Sequence, residues 1–345
     1  MITREDLAAA VEDGLLTEEQ AARLIARAEL SLVPTDTDDE RFRFLNGFND
    51  VFLALGIVLI AGALAAFMSV PKMGWPVVAG VAVIVMWGLA EIVIRKFRAV
   101  LPAIFISIAI TVFAGLLFSQ VFSPTTLARD PFGGFSTRSL TGALSLLAFV
   151  IVFYWRFRLP FTFGTIGAIA YGCALLLFFQ TVGVAPDAVL LQLFMVCAGL
   201  VLFAVAVAYD FSDPARVTRR SDCSFWLHMV AGPTITHGLL AQFATKVDVT
   251  SAAAMIGGFV LFAVVSLVID RRVPLVSVLL YLGIAVGYLF STVAVKSALT
   301  IGATLLVLGI IVVTMGLAWR PLRRMLLAPL RRFEFSNKLP PVRPA

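Results

Sequence analysis

Two histidines, His228 and His237, are the only ones in this chain of 345 residues, and both stand in one apolar stretch, SFWLHMVAGPTITHGLLAQF, at 224–243. Imidazole is the side chain whose ordinary charge change falls near neutral pH, so among apolar residues it points to proton transfer, to metal ligation or to a hydrogen bond with a polar solute. Nine residues separate the pair, and at about 100° per residue they face opposite sides of a regular helix, which argues against a shared metal ion. Between them lies Gly232-Pro233. Proline has no N–H, so the carbonyl of Met229 loses its helical partner, and the glycine eases a bend. A freed carbonyl beside Thr234, Thr236 and His237 is the kind of group with which interrupted membrane helices hold a proton, a cation or a polar solute. The competing reading is plainer: His237 makes one hydrogen bond across a helix interface, and Pro233 is tolerated.

Other polar residues in apolar surroundings form a short list. Glu91 precedes Arg95 by four residues, the spacing of an ion pair on one helix face. Gln120, Gln180, Gln192 and Gln242 all fall toward one end of their apolar runs, level with Ser119, Thr181, Ser291 and Thr292. They either line a polar vestibule or mark helix ends where amides meet headgroups. No GxSxG, HExxH or phosphate-binding loop is present, nor any Cys and His cluster of zinc spacing, so no catalytic residue, metal or cofactor is expected. Cys173, Cys197 and Cys223 are odd in number and do not form a disulfide framework.

The elements that position these groups follow from composition. Hydrophobic residues make up 60% of the chain and charged residues 14%, far from the balance of a soluble domain. Apolar runs of about 17 to 25 residues are long enough to cross a hydrocarbon core of about 30 Å. The pattern predicts an all-α polytopic bundle of about ten membrane helices, near 49–70, 74–94, 99–122, 139–155, 160–183, 188–209, 223–245, 251–269, 274–295 and 297–318. Cationic connections resist translocation. The side with the N-terminus carries 22 Lys and Arg and the other side 5, which predicts both termini in the cytoplasm. Tyr154, Trp155, Tyr209, Trp226 and Trp319 fall at that interface and Trp75 at the opposite one. The acidic start MITREDLAAAVEDGLLTEEQ is unlike a cleavable signal.

Self-similarity adds a repeat of hairpins in the same orientation. LPAIFISIAITVFAGLLFSQ and VPLVSVLLYLGIAVGYLFST align with Pro102 on Pro274, Gly115 on Gly287, Phe118 on Phe290 and Ser119 on Ser291, and Pro160 opens a looser copy. The spacing approaches one and two periods of 57 residues. Small residues predict close helix approach at Gly283 and Gly287, and along Gly302, Gly309 and Gly316.

The chain thus divides into an acidic cytoplasmic helical hairpin and linker at 1–47, a ten-helix membrane domain at 48–318 and a basic amphipathic tail at 319–345. In the hairpin, Thr3 and Thr17 are N-cap candidates with Asp6 and Gln20 three residues on. Up to residue 47 there are 11 acids and 5 bases, whereas seven bases and one acid follow Trp319. Arg323, Arg324, Arg331 and Arg332 are candidates for contact with anionic membrane lipids or with the acidic tail. The basic residues ring membrane edges and do not line a soluble face, so no nucleic-acid partner is expected. Oligomerisation is left open.

Three stretches, LAAAVEDGLLTEEQAARL, RFRFLNGFNDVFLALGIVLIAGAL and FWLHMVAGPTITH, together resemble polytopic bacterial membrane proteins of the domain-of-unknown-function class. The resemblance implies a bacterial inner-membrane setting and transfers no catalytic residue. Two functions fit the residues. One is a transporter or permease of a small polar or lipidic solute, centred on a kinked seventh helix; the other is a non-catalytic subunit or scaffold that docks a protein partner through the acidic hairpin.

Overall fold

The computed structural model describes residues 48–122, 137–183, 187–214, 216, 218–293 and 297–329, together with 17, 19 and 20. Two compact units are distinguished, residues 1–42 and residues 43–345. In the first, Thr17 and Gln20 form the expected reciprocal cap: Thr17 N–H donates to Gln20 Oε1 at 2.9 Å, and Gln20 N–H to Thr17 Oγ1 at 3.2 Å. Thr3 and nearly all of the predicted hairpin lie outside the described residues.

The described part of the second unit is helical. In chain order α1 is Phe48–Met68, α2 Trp75–Ala90, α3 Val100–Phe122, α4 Thr137–Phe157, α5 Pro160–Val182, α6 Ala188–Phe211, α7 Arg219–Thr245, α8 Val249–Ile269, α9 Val273–Val293 and α10 Ser297–Leu327. No strand occurs among the described residues. These helices coincide with the expected spans within a few residues, with one substantial difference. α10 continues through Pro321 to Leu327, so the predicted boundary at 319 falls inside a helix. At the end of α2 the coil widens to π geometry over Glu91–Lys96.

Nine of the ten helices are long and apolar enough to cross a membrane, and α7 is the exception. Its two histidines, three threonines and Gly-Pro pair dilute the apolar residues. Yet α7 runs antiparallel to α6 along its length: Ser224 Oγ donates to Ala206 O at 2.9 Å near one end, and Gly238 abuts Gln192 and Val196 near the other. It therefore crosses the same slab as α6. A helix of this composition is stable there because α5, α6, α8 and α9 pack against it, so most of its polar groups, Ser224, His228, Thr234 and Thr236 among them, meet protein and not hydrocarbon.

Consecutive helices pair as α2–α3, α4–α5, α6–α7 and α8–α9. Each of these four connections contains one non-glycine residue with positive φ: Arg98 (53°), Arg158 (53°), Arg216 (56°) and Asp270 (57°). They are the only such residues described, and they lie 60, 58 and 54 positions apart. One apolar core joins α1 to α4 through Ile57, Met86, Ile106, Ile110 and Phe153. The other joins α7 to α10 through Leu240, Met255, Val278, Tyr281 and Trp319. α5 bridges toward α3, where the hydroxyls of Ser107 and Thr162 are 3.1 Å apart.

The glycines that permit close approach are not all the expected ones. Gly283 does face Leu308 and Gly287 faces Thr304, both on α10. At Gly302, Gly309 and Gly316, however, an added Cβ would meet nothing within 4 Å, because α10 packs on one flank only and turns these residues outward. The tight positions surround α7. A Cβ on Gly164 would lie 2.8 Å from both Cβ and O of Trp226, and one on Gly199 would lie 2.6 Å from Ile235 Cγ1 and 3.0 Å from its backbone N. One on Gly238 would lie 3.0 Å from Gln192 O.

Candidate functional site

The two faces of α7 have different surroundings. His228 is fully buried, with a relative exposure of 0%. His237, half a turn away in azimuth, is exposed. The helix remains continuous through Pro233. Thr234 Oγ1 donates to Val230 O at 2.8 Å, capturing a carbonyl within its own helix, while its methyl packs against Gly199. Thr236 is buried, and its hydroxyl has no hydrogen-bond partner among the described residues.

Around His228 the structure assembles a polar cluster from three parts of the chain. Asp210 stands in the last turn of α6 with 3% exposure, and Arg271 stands in the α8–α9 connection with 2%. His228 Nε2 is 3.0 Å from Asp210 Oδ2. Arg271 donates to Asp210 Oδ1 at 2.5 Å and to Oδ2 at 3.4 Å, and its Nη2 also donates to the carbonyl and hydroxyl of Ser221, both at 2.9 Å. The edge of Phe203 packs against the imidazole at 5.2 Å between ring centres. A carboxylate clamped by a guanidinium is ionised and accepts, so His228 carries its hydrogen on Nε2. Nδ1 then presents a lone pair that no donor among the described residues meets.

One residue along, Asp270 organises a second set of contacts. It caps α8 in the left-handed conformation and accepts from the indole N–H of Trp319 at 2.8 Å. Arg216 from the α6–α7 connection lies 3.4 Å from its carboxylate, and Arg323 lies 3.6 Å from it. Arg323 also donates to Leu267 O at 3.1 Å, and the guanidinium of Arg272 sits 5.3 Å over the Trp319 ring. The connections with most of the basic residues of this half therefore close into a lattice linking α6, α7, α8 and α10. Arg323, expected to meet headgroups or the acidic tail, is turned into this lattice because Asp270 offers it a half-buried partner. Arg324 is half-buried, and Arg331 and Arg332 lie outside the described residues.

On the open face, Met229, Pro233 and His237 form an exposed stripe, four residues apart. It lies between the contacts of α7 with α5, at Trp226 and Leu227, and those with α9, at Gly232. His237 Nδ1 is hydrogen-bonded to the hydroxyl of Tyr281 on α9, a residue only 3% exposed. Its Nε2 has no partner among the described residues.

The remaining sequence candidates are dispersed. Glu91 accepts from Arg95 at 3.1 Å as its spacing indicates, and also from Arg156 of α4 at 2.9 Å, a partner invisible to local spacing. Gln120, Gln180 and Gln192 are half-buried at the ends of α3, α5 and α6, and Gln242 is exposed near the end of α7. Among the described residues no three His, Cys, Asp or Glu side chains come together as metal ligands would.

Asp210, Arg271, Ser221 and Tyr281 were not singled out by sequence reasoning. Arg271 was counted only as a topogenic charge. The available signal was an acid, Asp210, left inside the last turn of an apolar helix, where an unpaired carboxylate is costly. This arrangement defines a polytopic helical membrane bundle with a buried ionic cluster at one end of its most polar helix. Compared with protein-family models, with curated proteins and with solved structures, the chain matches none.

Proposed function

We propose that the chain is a permease or transporter of a small polar or lipidic solute in a bacterial inner membrane, with both termini in the cytoplasm and α7 as the solute-facing element. The observation that carries this reading is His237. It is exposed midway along a membrane helix, oriented through Nδ1 by the buried Tyr281 hydroxyl, with Nε2 available. Hydrocarbon does not satisfy such a group, whereas a solute with a hydroxyl or acidic group does. Met229 and Pro233 on the same stripe supply an apolar floor, which favours an amphiphile whose polar end meets His237. Pockets for such molecules combine mostly apolar walls with a few polar groups that set orientation.

The test uses the full-length protein purified in nanodiscs made directly from host membranes. Co-purifying small molecules are extracted and identified by mass spectrometry. The wild type is expected to retain an amphiphile that His237→Ala loses and Tyr281→Phe retains at reduced occupancy. An identical set of molecules in all three proteins overturns the reading.

A further inference from the structure

We infer that the buried Asp210–His228–Arg271 cluster is a proton-binding site, with His228 Nδ1 as the atom that takes the proton. The inference extends the permease reading by supplying the ion that biases its conformation, and it concerns the opposite face of α7 from His237.

The geometry leads there in steps. Asp210 is ionised because Arg271 holds both of its oxygens. Its Oδ2 accepts from His228, which fixes the hydrogen on Nε2 and leaves the Nδ1 lone pair inward, buried and unpartnered among the described residues. An acceptor enclosed without a donor is costly, so one that stands buried at this end of α7 needs a reason. A carboxylate that orients one imidazole nitrogen leaves the other as the atom open to a proton. The groups facing His228 are Asp210 from α6, Arg271 from the α8–α9 connection and, at longer range, Arg216 from the α6–α7 connection. The contacts of α7 with α5 and α9 at this level bring in Gly164, Gly167, Pro274 and Ser277, none of them titratable.

Charge balance gives the site its effect. With His228 neutral, Asp210 and Arg271 cancel. A proton on Nδ1 makes an imidazolium that shares Asp210 with the guanidinium, so the cluster becomes cationic and Arg271 is repelled. Arg271 ties the α8–α9 connection to both Asp210 and Ser221, and its loosening removes that tie to α6 and α7, leaving the contacts of Arg216 with Asp270 as the other hold on the corner. Proton binding and corner release are thereby linked, as differential affinity for two states requires.

A chain with only two histidines makes the test direct. Full-length protein carrying His237→Gln, labelled with 15N only at histidine and held in lipid nanodiscs, reports a single imidazole. Its NMR signals are expected to change reversibly from the Nε2–H tautomer to the doubly protonated ring as pH is lowered from about 8 to about 4. Over the same range, hydrogen exchange in peptides spanning 266–275, corrected for intrinsic rate, should increase severalfold in the wild type but not in His228→Gln. A ring that keeps one tautomer throughout, or exchange that is equally pH-dependent without His228, overturns the inference. Solute retention by His237 is read separately, so either proposal fails without the other.

Discussion

Removing Arg271 alone should be among the most damaging single changes in this protein, and removing the Asp210 charge with it should undo most of the damage. Arg271→Met deletes the contacts to both Asp210 oxygens and both contacts to Ser221, leaving a buried carboxylate with His228 as its remaining partner in the cluster. Breaking one side of a buried pair typically costs about 3–5 kcal/mol. Asp210→Asn should fall at the lower end, because the guanidinium keeps Ser221 and the amide oxygen that replaces the carboxylate can still accept from His228. In the double variant no unpaired charge remains, and the cost falls to the unmet Ser221 groups, about 1–2 kcal/mol. The double-mutant cycle should therefore show a coupling of at least about 2 kcal/mol. Equilibrium unfolding in mixed micelles, followed through the five tryptophans, measures all three variants. Single losses below about 1 kcal/mol that simply add would refute the picture of a desolvated, mutually dependent pair.

Two further outcomes follow from local geometry. Gly199→Ala, which drives a methyl into Ile235 on α7, should destabilise by more than about 1 kcal/mol, whereas Gly309→Ala in open space should be neutral or stabilising by helix propensity; thermal melts of the two in the same detergent decide it. Asp248 caps α8 by accepting from Ser251 N–H at 2.7 Å, and this bond holds its carboxyl below the ordinary carboxylate range. A depressed folded-state value means stabilisation that is present above the unfolded carboxyl value and lost as pH falls through the folded one. The melting-temperature gap between wild type and Asp248→Ala should accordingly be open at pH 7 and close in strong acid.

The helices were legible because long apolar runs admit few alternatives once lipid is the solvent, and the basic connections marked common ends. Thr17 and Gln20 were legible for a similar reason, since a capping box is encoded within four residues. What could not be read was anything set by contact between distant segments. The spacing of Glu91 and Arg95 gave one half of an ion-pair set, and Arg156 supplied the other only through the packing of α4. Glycine periodicity along α10 suggested a buried face that no neighbour covers, while Gly164, Gly199 and Gly238, with no shared period, proved to be the contact points. Arg271 and Arg323 resembled ordinary loop and tail charges because nothing local reveals that Asp210 and Asp270 wait for them. The half-turn offset of the two histidines, by contrast, followed directly from helical geometry.

The polarity of α7 bears on how the chain is made. A segment leaving the translocon partitions into lipid according to its own hydrophobicity, and this one is a poor candidate by itself. It must be retained beside α6, and then sheltered by α8 and α9, before release. Synthesis halted after residue 245 should yield a species whose last segment slips out of the bilayer.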